Sequence, residues 1–169
     1  LSEGAANRMN VYLKEKWEKP GSRYHVMKAM FSCLHKLEVL SADWPGKVRH
    51  YEKILFSGGR KKYEALHQYR LPNKIAEQLL SYFIYVYFAG AVYDGMPYSK
   101  VKLAVISTML IEDIVCAKAA EKGELTFEEI ADAAHSYARE VEHSDLNLQR
   151  LSTMFRKQKC FYFSTTKDA

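Results

Sequence analysis

QLLSYFIYVYFAGAVY, residues 78–93, is a run of sixteen residues without a charge. Three structures compete for it: a membrane span, a buried strand, or a helix inside a protein core. A span needs roughly 18–20 apolar residues, and here charges flank the shorter run closely. A buried strand suits Tyr, Phe, Ile and Val, yet nothing else in the chain reads as a strand to pair with it. The remaining reading is a central buried helix. Leu71-Pro72 opens it, since proline suits a first helical turn, and Asp94-Gly95 supplies the stop.

Outward from this run, nearly every segment repeats its apolar residues at helical period. Pro97 begins the next turn. Residues 98–121, YSKVKLAVISTMLIEDIVCAKAAE, form a second apolar helix with Ser99 as N-cap and Gly123 just past its end. Thr126 and Glu129 make a capping box. The last helix runs from there through HSYAREVEHSDLNLQ, residues 135–149, toward Phe155, with a kink or restart at Ser144-Asp145. Upstream, residues 23–40 place Val26, Met27, Met30, Phe31, Leu34, Leu37 and Leu40 on one stripe. Pro45-Gly46 breaks the pattern, a short helix spans 47–56, and Ser57-Gly58-Gly59 ends it. KKYEALHQY is another short helix, and MNVYLKEKW is a first one stopped by Pro20-Gly21. In the tail, Phe161, Tyr162 and Phe163 dock on the rest. The expected architecture is all-α: a helical bundle around two central apolar helices, about 73–93 and 98–121.

Composition agrees. The 169 residues are 48% apolar, with only 8 Gly and 4 Pro, which excludes a disordered chain and favours long helices over many turns. Residues 1–169 read as one all-helical domain, with 1–45 a looser leading part. The chain starts LSEGAAN, with neither an initiator Met nor a signal-peptide pattern. It reads as the C-terminal piece of a longer protein. Cys33, Cys116 and Cys160 are far apart and odd in number, which argues against a disulfide framework or a cysteine-held metal and for a reducing, cytoplasmic setting. The net charge of +5 is uneven: residues 1–72 carry 14 Lys/Arg against 7 Asp/Glu. Gly58-Gly59-Arg60-Lys61-Lys62 is its one local concentration. It reads as a solvated loop and helix start, so no nucleic-acid partner is expected, and no membrane partner either.

Several constellations bear on chemistry. Di-metal helical bundles use Glu-x-x-His pairs, because i and i+3 share a helix face. The chain has Glu64-x-x-His67 and Glu140-x-x-His143, with Glu38 and Glu112 on apolar helices. Tyr82, Tyr85, Tyr93, Tyr98 and Tyr137 fall on or beside the two apolar helices and the last one. Aromatic faces attract cations, although packing with each hydroxyl on a partner explains such a cluster more simply. No nucleophile elbow, phosphate-binding loop or dinucleotide fingerprint occurs. In 135–149, Arg139 pairs with Glu142 or His143 at ordinary helical spacing, and on composition alone the stretch is a polar helix face.

YFIYVYFAGAVYDGMPYSKVKLAVISTMLIEDI, followed by LTFEEIADAAHSYAREVEHSDLNLQRL, resembles the C-terminal part of flagellin lysine-N-methylases over roughly residues 38–155. The most specific pieces are AVYDG with SKVKLAV, and SYAREVEHSDLNL. The resemblance implies methyl transfer from S-adenosylmethionine to lysine ε-amines of a flagellin partner. It also implies a cysteine-rich region, with a possible iron–sulfur cluster, ahead of these residues and not within them. Within the matched motifs, Tyr85, Glu142 and His143 are candidate catalytic residues. Tyr82, Tyr93, Asp94 and Tyr137 are candidates to hold the cofactor, with Glu140 beside them. No residue here is expected to hold a metal. Two alternatives stay open: a non-catalytic helical module that recognises protein, and the di-metal bundle.

Overall fold

The computed structural model describes residues 22–90, 95–158 and Phe161. The expected first helix, Tyr93, Asp94, Cys160, Tyr162 and Phe163 lie outside the described residues. Among those described, every regular element is helical. The α-helices are α1 (Arg23–Leu34), α2 (Trp44–Phe56), α3 (Gly59–Leu66), α4 (Asn73–Phe88), α5 (Pro97–Lys122), α6 (Phe127–Tyr137) and α7 (Asp145–Lys157). A 3₁₀ turn, His67–Tyr69, follows α3, and a π-helical segment, Ala138–Glu142, follows α6. Among the described residues no helix is long and apolar enough to cross a membrane.

The organising element is α5. It touches α1, α2, α3, α4, α6 and α7, and its buried residues lie on all its sides, from Leu103 and Ile106 to Cys116 and Ala119. A helix surrounded by protein has no need of a single apolar stripe. Pro97 takes its first turn, so the helix starts two residues before the expected cap at Ser99, whose N–H instead bonds the Met96 carbonyl at 3.1 Å. Gly123, at φ +92°, stops it as expected, in a conformation that side chains resist.

The pair α4 and α5 is the most extensive in the molecule. The decisive run is therefore a helix against the core, but only one of its faces is covered. Phe83 and Tyr87 are buried, whereas Tyr82, Ile84, Phe88 and above all Tyr85, 83% exposed, face outward. An uncharged run tells which residues tolerate a core, and tyrosine tolerates water equally well at its hydroxyl.

The helix expected over about 73–93 ends at Phe88, with a turn at Ala89-Gly90. Two further boundaries moved, one for a tertiary reason and one for a local one. The stripe of α1 is buried from Val26 to Leu34, but the helix ends there and Leu40 is 47% exposed. Beyond Leu34 the backbone of Glu38 and Leu40 bonds to side chains of the chain's last third. Pro45 and Gly46 do not break a helix; they lie in the first turn of α2, where proline's missing N–H costs nothing.

Candidate functional site

The stretch 135–149 is an elbow rather than one helix. The capping box opens α6 as expected: Thr126 Oγ1 accepts from Glu129 N–H, and Glu129 Oε2 from Thr126 N–H at 2.9 Å. After Tyr137 the backbone widens, and His143 N–H reaches the Ala138 carbonyl five residues back at 3.0 Å. Such π turns are rare and often mark functional sites. Ser144 Oγ then accepts from Asn147 N–H at 3.2 Å and starts α7. Helical residues two apart point to opposite sides, so Glu140 and Glu142 are sent different ways.

Glu142 turns to α4. Its Oε1 accepts a hydrogen bond from the Tyr82 hydroxyl at 2.6 Å, while its Oε2 is buried and has no partner among the described residues. Tyr87, 5% exposed, lies in the same region with a buried hydroxyl that makes no hydrogen bond of good geometry. Beneath it, Tyr137 is fully buried, and its hydroxyl is 2.6 Å from that of Ser107 on α5. Phe83 stacks on Tyr87 and meets Tyr137 edge-on. The hydrogen bond to the carboxylate pushes the Tyr82 phenol up to about 12. Burial pushes Tyr137 to about 12 and raises Tyr87 as well, and the charge of Glu142 adds to both. All three phenols thus stay protonated at neutral pH.

Of the expected site residues, the fold brings Tyr82 and Glu142 into contact and sets Tyr137 underneath them. Tyr85 stands on the neighbouring exposed face of α4, and His143 projects into solvent at the elbow. Tyr93 and Asp94 lie outside the described residues. Sequence reasoning did not find Tyr87 or Ser107. Tyr87 sat in the uncharged run, but its apolar neighbours made it one aromatic among many.

Glu140 turns the other way and is 1% exposed. Its Oε2 accepts from Leu40 N–H at 3.0 Å, while its Oε1 is buried without a hydrogen bond, with Arg139 Nε 4.0 Å away. Asn147 completes this hook: its Oδ1 accepts from Glu38 N–H, and its Nδ2 donates to the carbonyls of Glu38 and Glu140, all within 2.7–2.9 Å. Asn147→Ala strands these buried backbone groups. At about 1 kcal/mol net per bond, urea unfolding should report a loss of about 2–3 kcal/mol. A loss under about 0.5 kcal/mol would mean the hook adds nothing.

The Glu-x-x-His pairs do not converge. Glu64 pairs with Arg60 on the surface, Glu140 caps Leu40, and Glu112 pairs with Arg23 at 2.6 Å. Among the described residues no three His, Cys, Asp or Glu side chains lie close enough together to hold a metal. Cys33 and Cys116 are single buried thiols, so these residues do not fit an iron–sulfur cluster either.

In place of a metal centre, α1, α3 and α5 enclose an ionic cluster that sequence reasoning did not find. Asp113 has no exposed side-chain surface. It accepts from Arg23 Nη2 at 2.7 Å, from the Tyr63 hydroxyl at 2.8 Å and from His67 Nε2 at 3.2 Å. Burial works against the charge on Arg23, but Asp113 and Glu112 outweigh it and raise its pKa. Burial, with the charge of Asp113, likewise raises Tyr63. His67 Nδ1 lies 2.9 Å from the Tyr63 carbonyl. Both ring nitrogens therefore face atoms that only accept, and only the imidazolium satisfies both. The bond to Asp113 accordingly raises the His67 pKa above 6.5, despite burial and the nearby Arg23.

A group whose pKa rises on folding stabilises fully below its unfolded value and loses that contribution as pH climbs through the folded one. The thermal midpoint of the wild type should thus exceed that of His67→Gln most below about pH 6.5, and the gap should narrow on the alkaline side. A gap independent of pH would show that His67 is neutral in the fold.

In comparisons with known proteins, no curated protein and no solved structure matches the chain. One family model does, and it spans residues 4–166, nearly the whole sequence and both the α4–α5 pair and the elbow. This chain belongs to the family of the FliB lysine N-methylase C-terminal domain.

Proposed function

We infer that the chain serves methyl transfer to lysine side chains of flagellin, with Glu142 and Tyr82 receiving the amine. The observation that carries this reading is the Glu142 carboxylate: one oxygen is fixed by Tyr82 and the other is buried with no partner. A lysine ammonium is a donor of the right charge for that oxygen. To react as a nucleophile the amine must first lose its proton, and a carboxylate sheltered from water beside neutral phenols can accept it. Tyr82 holds the carboxylate in place, and the orientation it imposes supplies the positioning on which such a reaction depends.

S-adenosylmethionine, when bound, supplies the methyl group. The exposed rings of Tyr82 and Tyr85 beside an anionic carboxylate fit a sulfonium cation, which aromatic faces attract. The test is methylation of purified flagellin by the full-length protein, wild type against Glu142→Gln, together with calorimetric titration of S-adenosylmethionine. Absence of any methyl transfer and of cofactor binding by the wild type would remove the reading.

One observation favours a recognition module instead. Glu140, Ser144 and Asn147 are all absorbed in structural bonds, so much of the polar elbow is committed to the fold. On that reading Glu142→Gln weakens flagellin binding and leaves the methylation rate at saturating flagellin unchanged.

A further inference from the structure

The helices α4 and α6 both pack on α5, but they do not pack on each other along their full length. They run side by side in the same direction. Ile75 and Leu79 face Ile130 and Ala134, Phe83 meets Tyr137, and Tyr82 meets Glu142. The two helices are closed at their C-terminal ends and open at their N-terminal ends. Two hollows occupy the opening. One, of about 230 Å³, lies between Ile75 and Leu79 on α4 and Ile130, Ala131 and Ala134 on α6, with Gln78 and His135 on its rim. The other, of about 380 Å³, continues past Ile130 over Val115 and Ala119, between Arg70 and Glu124. Ile130 lines both, so they form one groove with an apolar floor.

The Tyr82–Glu142 contact lies beyond the smaller hollow, at the closed end of the same pair of helices. Gln78 and Tyr82 are one turn apart on the same face of α4, and Glu142 follows His135 by two turns on the α6 side. At the closed end, beyond the residues that line either hollow, stands the Glu142 oxygen that is buried and unpartnered among the described residues. The wall formed by α6 carries Glu128, Glu129 and Asp132 and no Lys or Arg. Glu129 pairs with Lys122 and Asp132 with Lys118, but Glu128 is exposed. Phe127, 66% exposed, stands on the rim of the smaller hollow.

The geometry points to this groove as the seat of the substrate polypeptide: an apolar side chain fills the smaller hollow and a lysine extends to Glu142. This rests on the methylation reading above and names how its protein substrate is held. The hollow and the carboxylate are about 10 Å apart, judged from helical rise along α4 and α6, a span covered by about three residues of extended chain. The preferred target is therefore a lysine with an aliphatic or aromatic residue about three positions away. An anionic residue in place of the lysine is disfavoured by Glu142. The gain on binding comes from placing apolar surface on an apolar floor that water now covers.

Two substitutions test the groove from opposite walls: Ala131→Trp fills the smaller hollow from α6, and Gln78→Trp narrows it from exposed α4. Each is made in the full-length protein and checked for an unchanged thermal midpoint. The probe is purified flagellin monomer, read as equilibrium binding and as the KM for methyl transfer. Binding should weaken, and KM rise, about tenfold in either variant that folds. Glu142→Gln should instead lower kcat with flagellin still bound. Wild-type binding and KM in a folded variant from either wall overturn the groove proposal, and a kcat loss in Glu142→Gln then leaves the methylation reading standing. Weakened binding in the groove variants with an unchanged Glu142→Gln rate upholds the groove and removes the catalytic role of Glu142.

Discussion

Asp113→Asn should lower the stability of the chain by about 3 kcal/mol, the low end of what breaking a buried ion pair costs. The low end applies because Arg23 keeps 32% of its side-chain surface exposed and water screens part of its charge. The substitution keeps the shape of the side chain but leaves Glu112 as the one carboxylate on Arg23 among the described residues, and His67 facing an amide. Three elements lose their common partner on α5 at once, since Arg23 belongs to α1, Tyr63 to α3 and His67 to the 3₁₀ turn. At the entropy of unfolding usual for a domain of this size, the melting temperature should fall by about 6–12 °C. Asp132→Asn is the control: its carboxylate is 71% exposed and 3.5 Å from Lys118, and exposed pairs contribute about 0–1 kcal/mol. Equal losses in the two variants would show that Asp113 is not the keystone of the cluster. A double-mutant cycle with Arg23→Met separates the pair from the rest, because residues in contact couple and distant ones do not.

Glu142→Gln should reduce the methylation rate of the full-length protein about hundredfold or more, the range in which a positioned acid–base group contributes. Glutamine still accepts from Tyr82, so folding should be unaffected and the loss should lie in kcat. It cannot take a proton from an ammonium, and it offers no charge to hold one. The rate of the variant should rise with pH as solvent supplies more of the neutral amine, whose unperturbed pKa is about 10.4, and so recover part of the deficit. Tyr82→Phe should cost less, since it removes the anchor of the carboxylate and leaves the carboxylate itself. A Glu142→Gln enzyme with the wild-type rate and pH profile would show that the proton leaves by another route.

Helical period, capping and the uncharged run identify the fold because they are local properties. The capping box at Thr126, the stop at Gly123, the buried stripe of α1 and the long apolar helix at 97–122 each follow from a few neighbouring residues. The same locality explains what went unseen. The end of α1 depends on Asn147 and Glu140, about a hundred residues further on. Asp113 looks like any charge on a helix until α1 and α3 supply Arg23, Tyr63 and His67.

The candidate site divides in the same way. The motif SYAREVEHSDLNL drew attention to the right stretch, and family resemblance tied it to lysine methylation. Which of its two glutamates faces α4, and that Tyr82 meets it, came from the π turn and from the packing of α4 and α6 on α5. By itself the sequence determined that the chain is helical, where several of its helices begin, and which family it belongs to. Only the tertiary structure decided that the uncharged helix keeps one face in water and that Glu140 fastens a loop while Glu142 turns to Tyr82 on α4. A helix face acquires its role from what is packed against it, and that partner is encoded elsewhere in the chain.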